Sequence, residues 1–299
     1  MTLTQKSLTN RPFVPSGRLS LLLAMGLGLA GVTPATAQQN APLSAVSAAA
    51  APVATFADLV DLAQESSFIA LVEVTKQSLV APERAPGLAP GHVRLYLQTN
   101  LQGLLLGPAA AGAAQSFLVD VPAERGGRAP KLRKMRFLIF ADPVAGSTGQ
   151  LQLVQPGAMF ASDPVLEGRT RAVIGELNAK PVPPVITQVR DAFSMTGNLA
   201  GESETQLFLD TQDGSPVSIG VIRRPGMEPQ WGVSWTEIVD QSASAPQKDT
   251  LAWYRLACTL GPQLPAGAVS QEERSARAQA ETDYLYVISQ LGPCERVRR

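Results

Sequence analysis

The chain carries one histidine, His92, in 299 residues, so no mechanism that needs two imidazoles is open to it. Any Ser-His-Asp or Cys-His arrangement would have to use His92, which lies in a run of alternating polar and apolar residues, on the polar side beside Arg94. A solvated surface histidine is the competing reading. No G-x-S-x-G, H-E-x-x-H, Walker-type or C-x-x-C pattern occurs. Glu202 and Glu204 flank Ser203, and alternate residues of a strand point the same way. Paired carboxylates can bind Ca²⁺ or serve acid-base catalysis, and Asp210 with Asp213 poses the same choice; a solvated turn is the alternative in each case. Ser-Lys chemistry would need Lys76, Lys131, Lys134, Lys180 or Lys248 beside a serine, and no spacing selects a pair.

Arg125, Arg128, Lys131, Arg133, Lys134 and Arg136 place six cations in twelve residues with no acid among them. Such a stretch is a candidate anion-binding patch for a phosphate-rich partner, or a polar connection whose charges discourage edge-to-edge pairing of the strand that follows. Aromatic residues do not interleave it, and no nucleic acid partner is expected. Trp231, Val233 and Trp235 share one strand face; the two rings could stack on a sugar or meet Trp253 in the core.

These residues must be positioned by elements that the pattern predicts. Thr55 caps a short helix with Asp58 three positions on, and Phe56, Leu59, Val60 and Ala63 share its inner face. Phe68 to Thr75 has the texture of a strand covered on both faces. Val93, Leu95, Leu97, Thr99 and Leu101 alternate with His92, Arg94, Tyr96, Gln98, Asn100 and Gln102, a half-buried strand. Further strands are expected at Phe117 to Val121, Arg136 to Phe140 and Leu151 to Val154. Asp163-Pro164 opens a helix, and Lys180-Pro181-Val182-Pro183-Pro184 cannot continue it. Four strands follow, at Val185 to Met195, Thr205 to Thr211, Val217 to Arg223 and Trp231 to Val239, as an antiparallel meander. Asp249 is expected to cap a helix over Thr250 to Leu260. Ser270 with Glu273 would form a capping box for a longer helix ending at Leu291, with Tyr284, Ile288 and Leu291 in register.

The first 18 residues hold Lys6, Arg11 and Arg18 with no acid, a run of fourteen residues, apolar but for Ser20, follows from Leu19 to Val32, and the A-x-A site predicts cleavage after Ala37. The run is short for a membrane span of about twenty residues, so no transmembrane segment is expected after cleavage. The absence of a nearby cysteine argues against lipoprotein attachment. Export to the periplasm or the medium puts Cys258 and Cys294 in an oxidising compartment, where an even pair is expected to bridge. The 25 basic residues balance the 25 acidic ones only in the precursor; without residues 1–37 the count is 22 against 25, a formal charge of −3.

The ALVEV strand, the long alternating strand ending in LLLG, the FLVDV strand and the RFLIFA strand together resemble the five-stranded OB-like domains of exported bacterial proteins of unassigned function. The resemblance covers residues 55 to 160 and brings no catalytic residues with it. The expected fold class is α+β, a small OB-like β-barrel followed by an antiparallel sheet packed against C-terminal helices. The expected division is signal peptide 1–37, Ala-rich linker 38–54, barrel 55–160, helix and Pro-rich linker 161–184 and α+β domain 185–299. The functional expectation is a non-enzymatic exported module that binds an envelope protein or a small ligand, without cofactor or metal. The alternative is a hydrolase whose carboxylates or serine come from distant segments.

Overall fold

A computed structural model describes residues 54–109, 111–236, 243–269 and 273–297, all within the unit Ala50–Arg299. The expected signal peptide with its cleavage after Ala37, and the linker up to residue 53, lie outside the described residues. Ala54, the last residue of that expected linker, is buried, and its carbonyl accepts from Arg169 Nη1 at 2.9 Å. The helix α1 (Phe56–Glu65) starts there. Thr55 Oγ1 accepts from the Asp58 amide and the Asp58 carboxylate accepts from the Thr55 amide, closing both ends of a capping box.

Six strands form the first sheet: β1 (Phe68–Leu79), β2 (His92–Leu106), β3 (Ala114–Pro122), β4 (Arg136–Pro143), β5 (Leu151–Leu153) and β6 (Met159–Ala161). Their order is β3-β2-β1-β4-β5, with β6 also on β4. The long β1–β2 pair shifts register three times, and bulges of this kind bend and coil a sheet. As a result, buried residues of all five ordered strands meet in one cluster, among them Val72, Leu97, Val119, Ile139 and Leu151. Ile69, Leu138 and Phe140 point the other way, into a second cluster with α1. Thus β1 and β4 are covered on both faces, which is why their sequence reads as nearly continuous apolar. The sheet does not close fully: β3 forms only an isolated parallel bridge, Ser116 with Gln150 just before β5, where the Ser116 amide donates to the Gly149 carbonyl at 2.8 Å.

The chain then runs through α2 (Pro164–Asn178), capped by Asp163 with Pro164 in its first turn, and into a second sheet. Its strands are β7 (Ile186–Thr196), β8 (Ser203–Thr211), β9 (Val217–Arg223) and β10 (Gln230–Ser234), an antiparallel meander. One face carries Ile186, Ala192, Leu207, Ile219 and Val233 into the cluster that α1 also lines.

Helices α3 (Leu251–Ala257) and α4 (Arg274–Leu291) complete that cluster. Thr250, not Asp249, caps α3: its Oγ1 accepts from the Trp253 amide, while Asp249 takes a φ of 59°, a left-handed conformation that aspartate tolerates better than most residues. Ser270 lies outside the described residues, and Glu273 occupies the cap position of α4 without a side-chain bond to the helix backbone. Cys258, at the end of α3, and Cys294, just beyond α4, lie at disulfide distance, 2.05 Å between sulfurs. The fold is therefore mixed α+β. Among the described residues, no helix is long and apolar enough to cross a membrane.

Candidate ligand-binding groove

Pairing of β2 with β3 sets Arg94 opposite Asp120, Tyr96 opposite Leu118 and Gln98 opposite Ser116. Their neighbours Leu95, Leu97, Phe117 and Val119 are buried inside the curled sheet, so alternation sends these six outward. A groove of about 780 Å³ runs over this face, bounded by Arg84 of the β1–β2 connection and by Gln150, Gln152 and Pro156 around β5. The Arg94 guanidinium grips Asp120 with two bonds, Nε to Oδ1 at 2.6 Å and Nη2 to Oδ2 at 2.7 Å. A third bond from Nη1 reaches the Pro86 carbonyl at 3.3 Å and ties the β1–β2 connection to the strand. This hydrogen bonding, together with the opposite charge, holds the Asp120 carboxyl below the usual carboxylate range and raises the Arg94 guanidinium further. The groove floor thus offers a fixed, mutually neutralised ion pair beside an aromatic ring and Leu118, which is 50% exposed.

A second concavity, of about 600 Å³, lies on the outer face of β7–β9. There Arg190 sits 3.7 Å from Asp210 and lies over the Phe208 ring at 5.9 Å, so the aromatic surface is already covered by this chain's own guanidinium.

The carboxylates singled out by spacing do not converge. Glu202 accepts from the Asn198 and Leu199 amides and closes the β7–β8 turn. Glu204 accepts from Gln206, and Asp210 is held by Gln188 and Arg190. Asp213 accepts from the Ser215 amide, which lowers its pKa. Among the described residues, no group of three or more His, Cys, Asp or Glu side chains is arranged to hold a metal ion. His92 is half-buried at the start of β2, with Nδ1 3.1 Å from the Pro90 carbonyl. Trp231 and Trp235 are half-buried and pack against the second-sheet core. Trp253 is buried there too and donates from Nε1 to the Leu291 carbonyl at 2.8 Å.

All six cations, five in the β3–β4 connection and Arg136 at the start of β4, are exposed. Only Arg136 has an ion-pair partner among the described residues, Glu73 at 3.3 Å. The backbone between them is pinned to β1: Gln77 Nε2 donates to the Pro130 carbonyl, the Leu132 amide donates to Gln77 Oε1, and the Lys134 amide donates to the Val74 carbonyl.

One polar cluster has no counterpart among the sequence expectations. Asp283 of α4 is fully buried and accepts from Thr205 Oγ1 at 2.5 Å, Arg223 Nε at 2.5 Å and Gln279 Nε2 at 3.0 Å. Arg223 also lies 5.8 Å from the centre of the Tyr286 ring. The signal was present in the helical stripe Ala276, Ala280, Asp283, Val287, in which a carboxylate holds a core position. Compared with known proteins, no family model matches the chain, and neither does any curated protein.

Proposed function

We propose that this is an exported binding protein, periplasmic or secreted, whose first sheet is an OB-like barrel presenting the β2–β3–β5 groove to an oligosaccharide of the cell envelope. The groove itself carries this reading. Tyr96 and Leu118 give a flat apolar floor for a sugar ring, Ser116, Gln150 and Gln152 supply hydroxyl and amide partners, and the Arg94–Asp120 pair has no charge left to demand a counter-ion. Arg84, exposed and without an ion pair among the described residues, suits a carboxylate on an acidic sugar. Three observations support the barrel: the strand order, the parallel bridge from Ser116 of β3 to Gln150 just before β5, and the single interior cluster fed by five strands. Barrels of this class bind oligosaccharides and oligonucleotides on the corresponding face, and here the groove is not cationic enough for a polyanion.

Calorimetric titration with soluble glycan fragments of the envelope tests the proposal. One fragment should bind, and Tyr96→Ala should weaken it about tenfold or more through loss of ring contact. Failure of the whole panel, or binding indifferent to Tyr96, rejects it. N-terminal sequencing of the protein recovered from the periplasm or medium should begin at Gln38.

A further inference from the structure

The β3–β4 connection is a cationic surface held in one shape, and the groove makes no use of it. Arg125, Arg128, Lys131, Arg133 and Lys134 are exposed and have no ion-pair partner among the described residues. A chain that balances its charges overall, and is acidic once residues 1–37 are removed, has thus concentrated positive charge in one place. Leu132 anchors the connection by burying its side chain in the interior cluster of the first sheet. The bonds from Gln77 and to Val74 fix its course along β1, and Lys134 holds a φ of 68° that turns the backbone before β4. Ordering entropy is already spent on folding, so binding through these side chains costs less than binding through a free basic tail. Between Lys134 and Arg136 stands Met135, 42% exposed. An apolar side chain flanked by cations is the arrangement that enters a lipid headgroup layer while its neighbours contact phosphates.

We propose that the β3–β4 connection docks the protein on an anionic phospholipid surface, with the five unpaired cations on headgroup phosphates and Met135 inserted among them. A lipid surface fits better than nucleic acid because no aromatic side chain is available on this stretch for base stacking. The proposal is independent of the groove and its ligand.

The test is co-sedimentation of the full chain with phosphatidylcholine vesicles, with and without phosphatidylglycerol, at low ionic strength. The readout is the change in phosphatidylglycerol preference between variants of the same full chain, because the apolar run Leu19–Val32 and the cations Lys6, Arg11 and Arg18 are common to all of them. Each cation near an anionic surface is worth about fivefold in partitioning. Arg125→Gln, Arg128→Gln and Lys131→Gln combined should therefore lower the preference on the order of a hundredfold, and added salt should release the protein. Met135→Ser should weaken binding severalfold without any change of charge. The charge-matched control Lys180→Gln, Arg224→Gln and Lys248→Gln, all at exposed positions, should change the preference by no more than about twofold. The proposal is overturned by absence of any preference, or by equal loss in the control. Displacement by inorganic phosphate alone, which would assign a soluble phosphate ligand, or tighter retention on RNA than on vesicles, overturns it as well.

Discussion

Asp283 has its full side chain inside the protein and three donors around it, one of them charged. Asp283→Ala leaves Arg223 and Thr205 facing an empty position, and removing one partner of a buried pair is far more damaging than losing an exposed one. The expected cost is about 3 kcal/mol, read as a lower urea midpoint; Arg136→Gln, at the exposed pair with Glu73, should cost less than about 1 kcal/mol. Asp120 makes a prediction about acid. Its folded pKa is depressed by Arg94, below the value of about 3.9 for an unfolded aspartate. The stabilisation from its ionisation is therefore fully present above that value and lost as pH falls through the depressed one. The stability difference between the protein and Asp120→Asn should shrink as pH is lowered from about 5 towards 2, in urea titrations at each pH. A constant difference would mean that the carboxylate charge contributes nothing.

At the scale of elements, β10 depends on a close backbone approach. A Cβ at Gly232 would fall on the Ala243 carbonyl, and the Val233 amide donates to the Ser244 carbonyl at 3.3 Å. Gly232→Ala must push this segment off the strand, with an expected loss of about 2 kcal/mol, the usual scale of overpacking; thermal unfolding would measure it, and an unshifted midpoint would show that the segment yields freely. Helix α1, strand β2 and the β7–β10 meander could be read from the sequence because their causes are local: a cap three residues from its partner, a period of two, and turns rich in glycine. The three-residue β6 could not, since it exists only because β4 offers an edge to it. Strand β1 runs on through Lys76, Gln77 and Ser78 to Leu79, four residues past its expected end, because pairing with β2 supplies what those side chains do not signal. The shift of the α3 cap from Asp249 to Thr250 is of the same kind, set by a backbone angle at one residue.

Across the whole molecule, the sites were the least legible part. The outward set Arg94, Tyr96 and Gln98 was visible as a polar face, but its meaning depends on β3 lying beside it and on β5 arriving from the far side of β4. Network partners such as Thr205, Arg223 and Asp283 are separated by up to 78 positions, which no local pattern encodes. The basic stretch was legible as composition, while its fixed shape comes from Gln77 and Val74, more than fifty residues away. Helix α1 shows the longest of these connections. Tyr254 donates to Asp61 Oδ1 at 2.5 Å, Arg296 donates to Asp61 Oδ2 at 2.6 Å, Arg255 donates to Gln64 at 2.9 Å, and the Val297 amide donates to Asp58, 239 positions away. Time enters here. A chain that is made from its N-terminus presents α1 first and these partners last, whereas the buried residues of the interior cluster of the first sheet are all present once Leu151 has arrived. The first sheet can therefore pack early, with one side of α1 left waiting, and the segment around Arg296 and Val297 acts as the clasp that holds α1.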